Sequence, residues 1–295
     1  MSQAFHPPNE KQRRTAIGPT SSLAPQLRRA LDPGDDFEPI PAPRASDWLA
    51  NHEEPGQTFL QFAASRRNVP DRTRNKIYLL PLGAFEEGSP SLDKLRAFAE
   101  AFFGLPAEVL PTAEIDRTFT TRVHPETRRR QLLTRDVLAW LRGKLPRDGF
   151  LILGVTMTDL YPADDWNYVF GQASLRDRVG VYSFARYDPR FFGEEAGDDV
   201  QSLMLLRSCK VLGHESCHMF SMPHCIYFTC LLNGSNHLEE ADARPLHLCP
   251  VCLRKLQHSV GFDVERRYER LRDFSREAGF KEQQQWLENR LRQLR

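Results

Sequence analysis

The run from His214 to Cys252, HESCHMFSMPHCIYFTCLLNGSNHLEEADARPLHLCPVC, limits what this chain can become more than any other stretch. It carries five of the six cysteines and three of the nine histidines at metal-ligand spacing. His214 and His218 are four residues apart, so on an α-helix both imidazoles project from one face and reach a single ion at about 2.0–2.1 Å. A helix continued to His224 would carry that side chain about 9 Å further along the axis and off the shared face. The chain must therefore turn near Ser221–Pro223 if His224 is to join the set, and Pro223 disfavours helical geometry at Met222. Three neutral histidines leave the fourth position of a tetrahedral Zn²⁺ for water, which is the catalytic pattern. Glu215, beside the ligands without competing with them, has the spacing of a general base.

Directly afterwards come Cys225-x4-Cys230 and Cys249-x2-Cys252. Two short-spaced thiol pairs suit a closed four-cysteine zinc site, each short loop wrapping one side of a tetrahedron. Two disulfides are the competing reading, set against the absence of a signal-peptide core at the N-terminus and a chain too large to need staples. Because Cys225 adjoins His224, the closed site would anchor the turn that delivers the third histidine. Cys209 and Cys217 read as core thiols. His237 and His247 read as loop or surface histidines, or as spare ligands. Glu239, Glu240 and Asp242 are candidates to orient a zinc-bound imidazole.

HExxHxxGxxH followed by C-x4-C and CxxC is the signature of the archaemetzincins, a branch of the metzincin zinc proteases, and this chain resembles them. The flanking text FGQASLRDRVGVYSFARYDPR at 170–190 and CLLNGSNHLEEADARPLHLCPVCLRKLQ at 230–257 is similar as well, and the resemblance spans about residues 75–280. It implies catalytic zinc on His214, His218 and His224, Glu215 as general base, and a second, structural zinc on Cys225, Cys230, Cys249 and Cys252. It also implies a peptide substrate, an aminopeptidase-like or short-peptide activity, and a sheet edge within 167–187 along which an extended peptide lies. Two positions depart from the family pattern. Ser221 stands where the pattern has Gly, and a left-handed turn there costs a non-glycine residue about 1–2 kcal/mol. Leu232 stands where it has the Met beneath the zinc, a volume-conserving exchange that costs under about 1.5 kcal/mol.

At 295 residues, with 40% hydrophobic and 27% charged content, the chain has ordinary globular composition. A net charge of +1 gives no reason to expect nucleic acid or membrane as partner. No apolar run reaches the 18 or so residues of a membrane span, and a cytoplasmic or nuclear location is expected. Oligomeric state is not legible. Residues 1–73 hold ten of the 21 prolines and read as an extension, extended or disordered through about residue 45, with a short helix at 58–66.

From Asn75 the pattern becomes regular. Strands are expected at 76–85, 107–111 and 150–162, with helices at 91–104 (Ser91 as N-cap) and 124–146 (Pro125 near its start). Two short strands flank a turn at 175–178, a helix covers 198–220, and further helices cover 251–259, 263–278 and 281–294. The expected fold is α+β and metzincin-like. Residues 74–220 would form an upper subdomain with a mixed twisted sheet and two long helices, and 221–295 a smaller lower subdomain around the four-cysteine site. Two other functions stay open: a catalytically weak zinc-stabilised peptide- or protein-binding protein, suggested by Ser221 and Leu232, and a nucleic-acid-binding zinc module, which the neutral charge disfavours.

Overall fold

The computed structural model describes residues 5–115, 117–195, 197 and 199–295. The chain forms two compact units, one of residues 68–220 and one that combines residues 1–67 with 221–295.

In the combined unit the N-terminal segment contributes α1 (Glu10–Ile17), α2 (Pro25–Ala30), α3 (Trp48–Asn51) and α4 (Phe59–Ala64). α1 and α2 differ from the expectation of an extended or disordered stretch through about residue 45, whereas α4 falls within the short helix expected at 58–66. Two capping boxes start helices here, Asn9 with Gln12 and Thr58 with Gln61, each satisfying two orphan N–H groups. Pro25 opens α2, where a missing N–H costs nothing.

The 68–220 unit is built on a mixed five-stranded sheet. It comprises β1 (Lys76–Leu82), β2 (Ala107–Val109), β5 (Gly149–Thr156), β7 (Gly171–Ser174) and β8 (Val179–Ser183), in the order β2-β1-β5-β8-β7. All neighbours run parallel except β7, which pairs antiparallel with β8 and forms one edge. From Ile77 onward β1, and the whole of β5, are buried and largely apolar because both faces are covered. On one face α6 (Thr134–Arg142) sets Val137 and Leu141 against Tyr78, Leu80, Ile152, Val179 and Val181. Opposite, α5 (Leu92–Phe103) packs on α7 (Val200–Met219), and a Cβ added at Gly180 would lie 3.2 Å from Met219 Cε.

Two sequence expectations fail in this unit. The helix expected from 124 begins only at Thr134, because β3 (Thr121–Val123) and β4 (Arg130–Leu133) form an antiparallel hairpin in a second, three-stranded sheet. Pro125 lies in the connecting turn, where His124 Nδ1 accepts the N–H groups of Glu126 and Thr127, and Arg128 takes a left-handed φ of 55°. The apolar run at 150–162 splits into β5 and β6 (Asp159–Tyr161), and β6 joins that second sheet. Asp159 explains the split. Its buried carboxylate accepts both Arg186 Nε and Nη2 at 2.8 Å and Gln131 Nε2 at 2.8 Å, partners that β5 could not offer it.

The segment 221–295 adds α8 (Leu238–Asp242), α9 (Pro250–Val260), α10 (Val264–Ala278) and α11 (Lys281–Leu294). Within its unit α9 packs on α1 and α4, while α10 and α11 pack on each other and on α2. Two buried arginines tie the N-terminal segment down. Arg290 donates to Asp36 Oδ2 at 2.9 Å and to the carbonyl of Ala30 at 3.0 Å, and Arg254 donates to the carbonyls of Ile17 and Pro19. Among the described residues no helix is long and apolar enough to cross a membrane.

Asp159→Ala strands the Arg186 guanidinium in the core, so urea unfolding should record a loss of about 3–5 kcal/mol. The double variant Asp159→Ala/Arg186→Met should recover most of that loss.

Candidate metal centre

Helix α7 carries the first two histidines. His214 and His218 lie one turn apart with their Nε2 atoms 3.1 Å apart and their rings nearly perpendicular at 87°. Two nitrogens bound at about 2.0–2.1 Å to one tetrahedral ion sit about 3.3–3.4 Å from each other. The pair therefore fits a shared metal with almost no movement. Glu215 turns toward the sheet edge, where a Cβ added at Gly171 of β7 would lie 3.3 Å from its Cγ. Glycine at 171 is thus what lets the carboxylate stem approach the edge strand. Across the β7–β8 ladder Gly171 pairs with Tyr182, whose phenol is pushed well above its usual value by burial first and by neighbouring groups that include Glu215.

The helix stops where the sequence requires. Phe220 N–H reaches back to the carbonyl of Cys217 at 3.1 Å, tightening the last turn, and Asn68 Nδ2 donates to the carbonyl of Met219 at 2.9 Å. The Phe220 ring is held between Phe103, stacked at 5.5 Å, and Phe150 at 4.6 Å. Ser221 then takes a left-handed φ of 65°. So the turn expected from the family pattern is made without glycine. His214 and His218 belong to one unit and His224 to the other, joined by residues 219–223.

In its own unit His224 is gripped from the N-terminal segment. Its Nδ1 and Glu54 Oε1 are 2.6 Å apart, and Trp48 Nε1 donates to the same oxygen at 2.9 Å. A carboxylate only accepts, so the proton sits on Nδ1, and Nε2 is the nitrogen that could ligate a metal. Glu239 and Glu240, candidates for this orienting role, are engaged elsewhere. Glu239 pairs with Arg44 at 2.8 Å, and the Glu240 oxygens accept the N–H groups of Trp48 and Asn236. Sequence reasoning missed Glu54 because it lies 170 residues from its partner and belongs to no motif.

Cys225, Cys230, Cys249 and Cys252 converge, their Sγ atoms all within 4.8 Å of one another, and all four are buried. Cys225 and Cys249 approach to 3.5 Å, close to the roughly 3.8 Å edge of a tetrahedron with Zn–S bonds of about 2.3 Å. None is oxidised to a disulfide. The amides of Leu232 and Cys249 point at Cys230 Sγ at 3.5 and 3.3 Å, donors suited to a thiolate. Hydrogen bonds from Cys230, Cys249 and Cys252 hold the Cys225 thiol well below its usual value, whereas burial pushes Cys249 up. Four thiols this close can all ionise only around a cation. Asn233 builds the loop that presents the first pair: its side chain accepts from Cys230 N–H at 2.7 Å and donates to the carbonyls of Cys225 and Phe228. Leu232 is fully buried, and its carbonyl accepts Cys225 N–H at 2.8 Å.

A third cluster brings together Asp47, His237 and Glu240. His237 caps α8 through Nδ1, which accepts Glu240 N–H at 3.3 Å, so its proton faces Asp47 Oδ1 from Nε2 at 3.4 Å. His247 lies in the loop between α8 and α9, as expected, and stacks there on Trp286 with centroids 3.7 Å apart. Cys209 and Cys217 are core thiols, as expected.

A model of peptidase family M54 matches residues 100–258. Archaemetzincin-2 of Mus musculus is 40% identical over 275 residues, covering 83% of this chain and 77% of that protein, and archaemetzincin-2 of Homo sapiens is 39% identical with 83% and 76% covered. Among solved structures, the archaemetzincin of Methanopyrus kandleri superposes with a TM-score of 0.51 at 28% identity, covering 66% of this chain and 99% of that one.

The left-handed Ser221 yields a direct test. Ser221→Gly should raise stability by about 1 kcal/mol in thermal or urea unfolding, because glycine takes positive φ without the Cβ penalty.

Proposed function

The chain belongs to the archaemetzincin family of zinc metallopeptidases, peptidase family M54, and from that premise we propose that it hydrolyses short peptides at a centre formed by His214, His218, His224 and Glu215. The observation that carries the proposal is the His214–His218 pair, whose Nε2 atoms already stand at the separation a shared tetrahedral ion requires. His224 is supported as the third ligand because its Nδ1 is committed to Glu54 and its ring groups with those of His214 and His218. Zinc held by these imidazoles supplies a Lewis acid for the scissile carbonyl and lowers the pKa of the attacking water toward about 7.

The remaining chemistry falls to the protein. Glu215 takes the proton from the attacking water and delivers it to the departing amine, so that the leaving group departs neutral. Its place against Gly171 puts it beside an edge strand, β7, whose outer N–H and C=O groups can align an extended peptide. We assign a second, structural zinc to Cys225, Cys230, Cys249 and Cys252, making two ions per chain. Buried thiols that need a cation to ionise together support that assignment, and so do the amide donors aimed at Cys230. Six cysteines without a disulfide among them suit the reducing environment of cytoplasm or nucleus. Preference for the amino-terminal bond of the peptide rests on the family resemblance alone.

Glu215→Ala should retain both metals and lower turnover of a peptide library by about 10²–10⁴-fold. Unchanged hydrolysis would remove Glu215 from the mechanism. Mass-spectrometric mapping of products from the unmodified protein reads bond choice in the same assay: stepwise loss of first residues fits the aminopeptidase-like reading, and internal cuts sink it.

A further inference from the structure

Glu54 is attached to more than His224. Its Oε1 also takes the indole N–H of Trp48, and Trp48 is itself fixed on three sides. Its backbone N–H donates to Glu240 Oε1 at 2.9 Å, and its ring stacks on His52 at 3.7 Å. Beneath the ring lies Gly234, where an added Cβ would come within 2.4 Å of Trp48 Cδ1, so only glycine lets the indole settle there. The same indole stands edge-on to His224, with centroids 5.1 Å apart at 77°. The segment leading to Trp48 is anchored in turn: Thr229 N–H donates to the carbonyl of Glu38 at 2.9 Å and Ile40 N–H to that of Tyr227 at 3.4 Å. Those two acceptor and donor residues, Tyr227 and Thr229, lie on the loop between Cys225 and Cys230.

We propose that Glu54, presented by Trp48, is a positioning residue for the metal centre: it fixes the tautomer and ring orientation of His224 so that Nε2 is the ligand atom. The proposal rests on the assignment of His224 as a zinc ligand. It adds to that assignment a residue outside the 100–258 stretch that carries the family match. The physical reason is general. A ring nitrogen donating to a carboxylate makes the opposite nitrogen more basic and removes the freedom of the ring to flip, and losing such a partner typically weakens metal binding by about 10–100-fold. A second consequence concerns the N-terminal segment. In this reading it belongs to the metal centre and is not a loosely attached extension.

The test uses full-length protein and two readouts, the zinc dissociation constant of the histidine site by chelator competition and the visible absorption bands of the Co²⁺-loaded form. Glu54→Gln preserves shape and an acceptor for the indole but removes the charge. It should weaken the histidine site about 10–100-fold and shift the cobalt bands, with the four-cysteine metal retained. His224→Ala is the reference and should abolish the histidine site. If His224→Ala loses the site while Glu54→Gln keeps the wild-type dissociation constant and bands, the positioning role is overturned, whatever happens to the melting temperature. If His224→Ala binds like the wild type, the ligand assignment itself has failed and the proposal falls with it.

Discussion

Helix α7 has to end within two residues of His218, and the rest of the site hangs on that termination. Apolar burial would let the helix run on, since Phe220 and Met222 are both fully buried. The end is imposed from outside the helix. Asn68 takes a terminal carbonyl, Phe103 and Phe150 hold Phe220, and Ser221 enters the left-handed region at a cost of about 1–2 kcal/mol. Cys225 then follows His224 directly, so the buried thiol cluster pins the far side of the same turn. A strained serine persists here because the residues before and after it leave little alternative.

The N-terminal segment illustrates why composition misleads. Its prolines and charges describe a chain that should stay unfolded, yet Ile17, Leu31, Phe37, Ile40, Phe59 and Phe62 are buried within its unit. Few apolar residues suffice because the polar backbone between them is satisfied by side chains from the C-terminal helices. Arg254 and Arg290 reach carbonyls at residues 17, 19, 29 and 30 that no regular ladder would pair. The capping boxes at Asn9 and Thr58 were readable signs of helix starts. Nothing local foretold the arginines.

Charge is distributed sparingly at the candidate centre. His224 faces the Glu54 carboxylate, which also accepts the neutral indole of Trp48. Glu215 lies against glycine and near a buried phenol. In the proposed mechanism one acid orients an imidazole and another moves a proton, a division of labour set by surroundings and not by residue type.

The family, the two ligand motifs, the long α7 and the C-terminal helices could all be read from the amino-acid order. Each depends on contacts within a few residues: i and i+4 on a helix, paired thiols on short loops, caps at helix ends. Tertiary structure alone decided the β3–β4 hairpin, the separation of β6 from β5, the anchoring of the N-terminal segment by Arg254 and Arg290, and the carboxylate on His224. In all but the hairpin, whose strands pair across at most eleven residues, the deciding partner is distant in sequence. Arg186 and Gln131 draw Asp159 away from β5, and Glu54 meets His224 across 170 residues. Short-range spacing encodes which atoms can share an ion. Where buried charge finds its partner depends on how the whole chain closes.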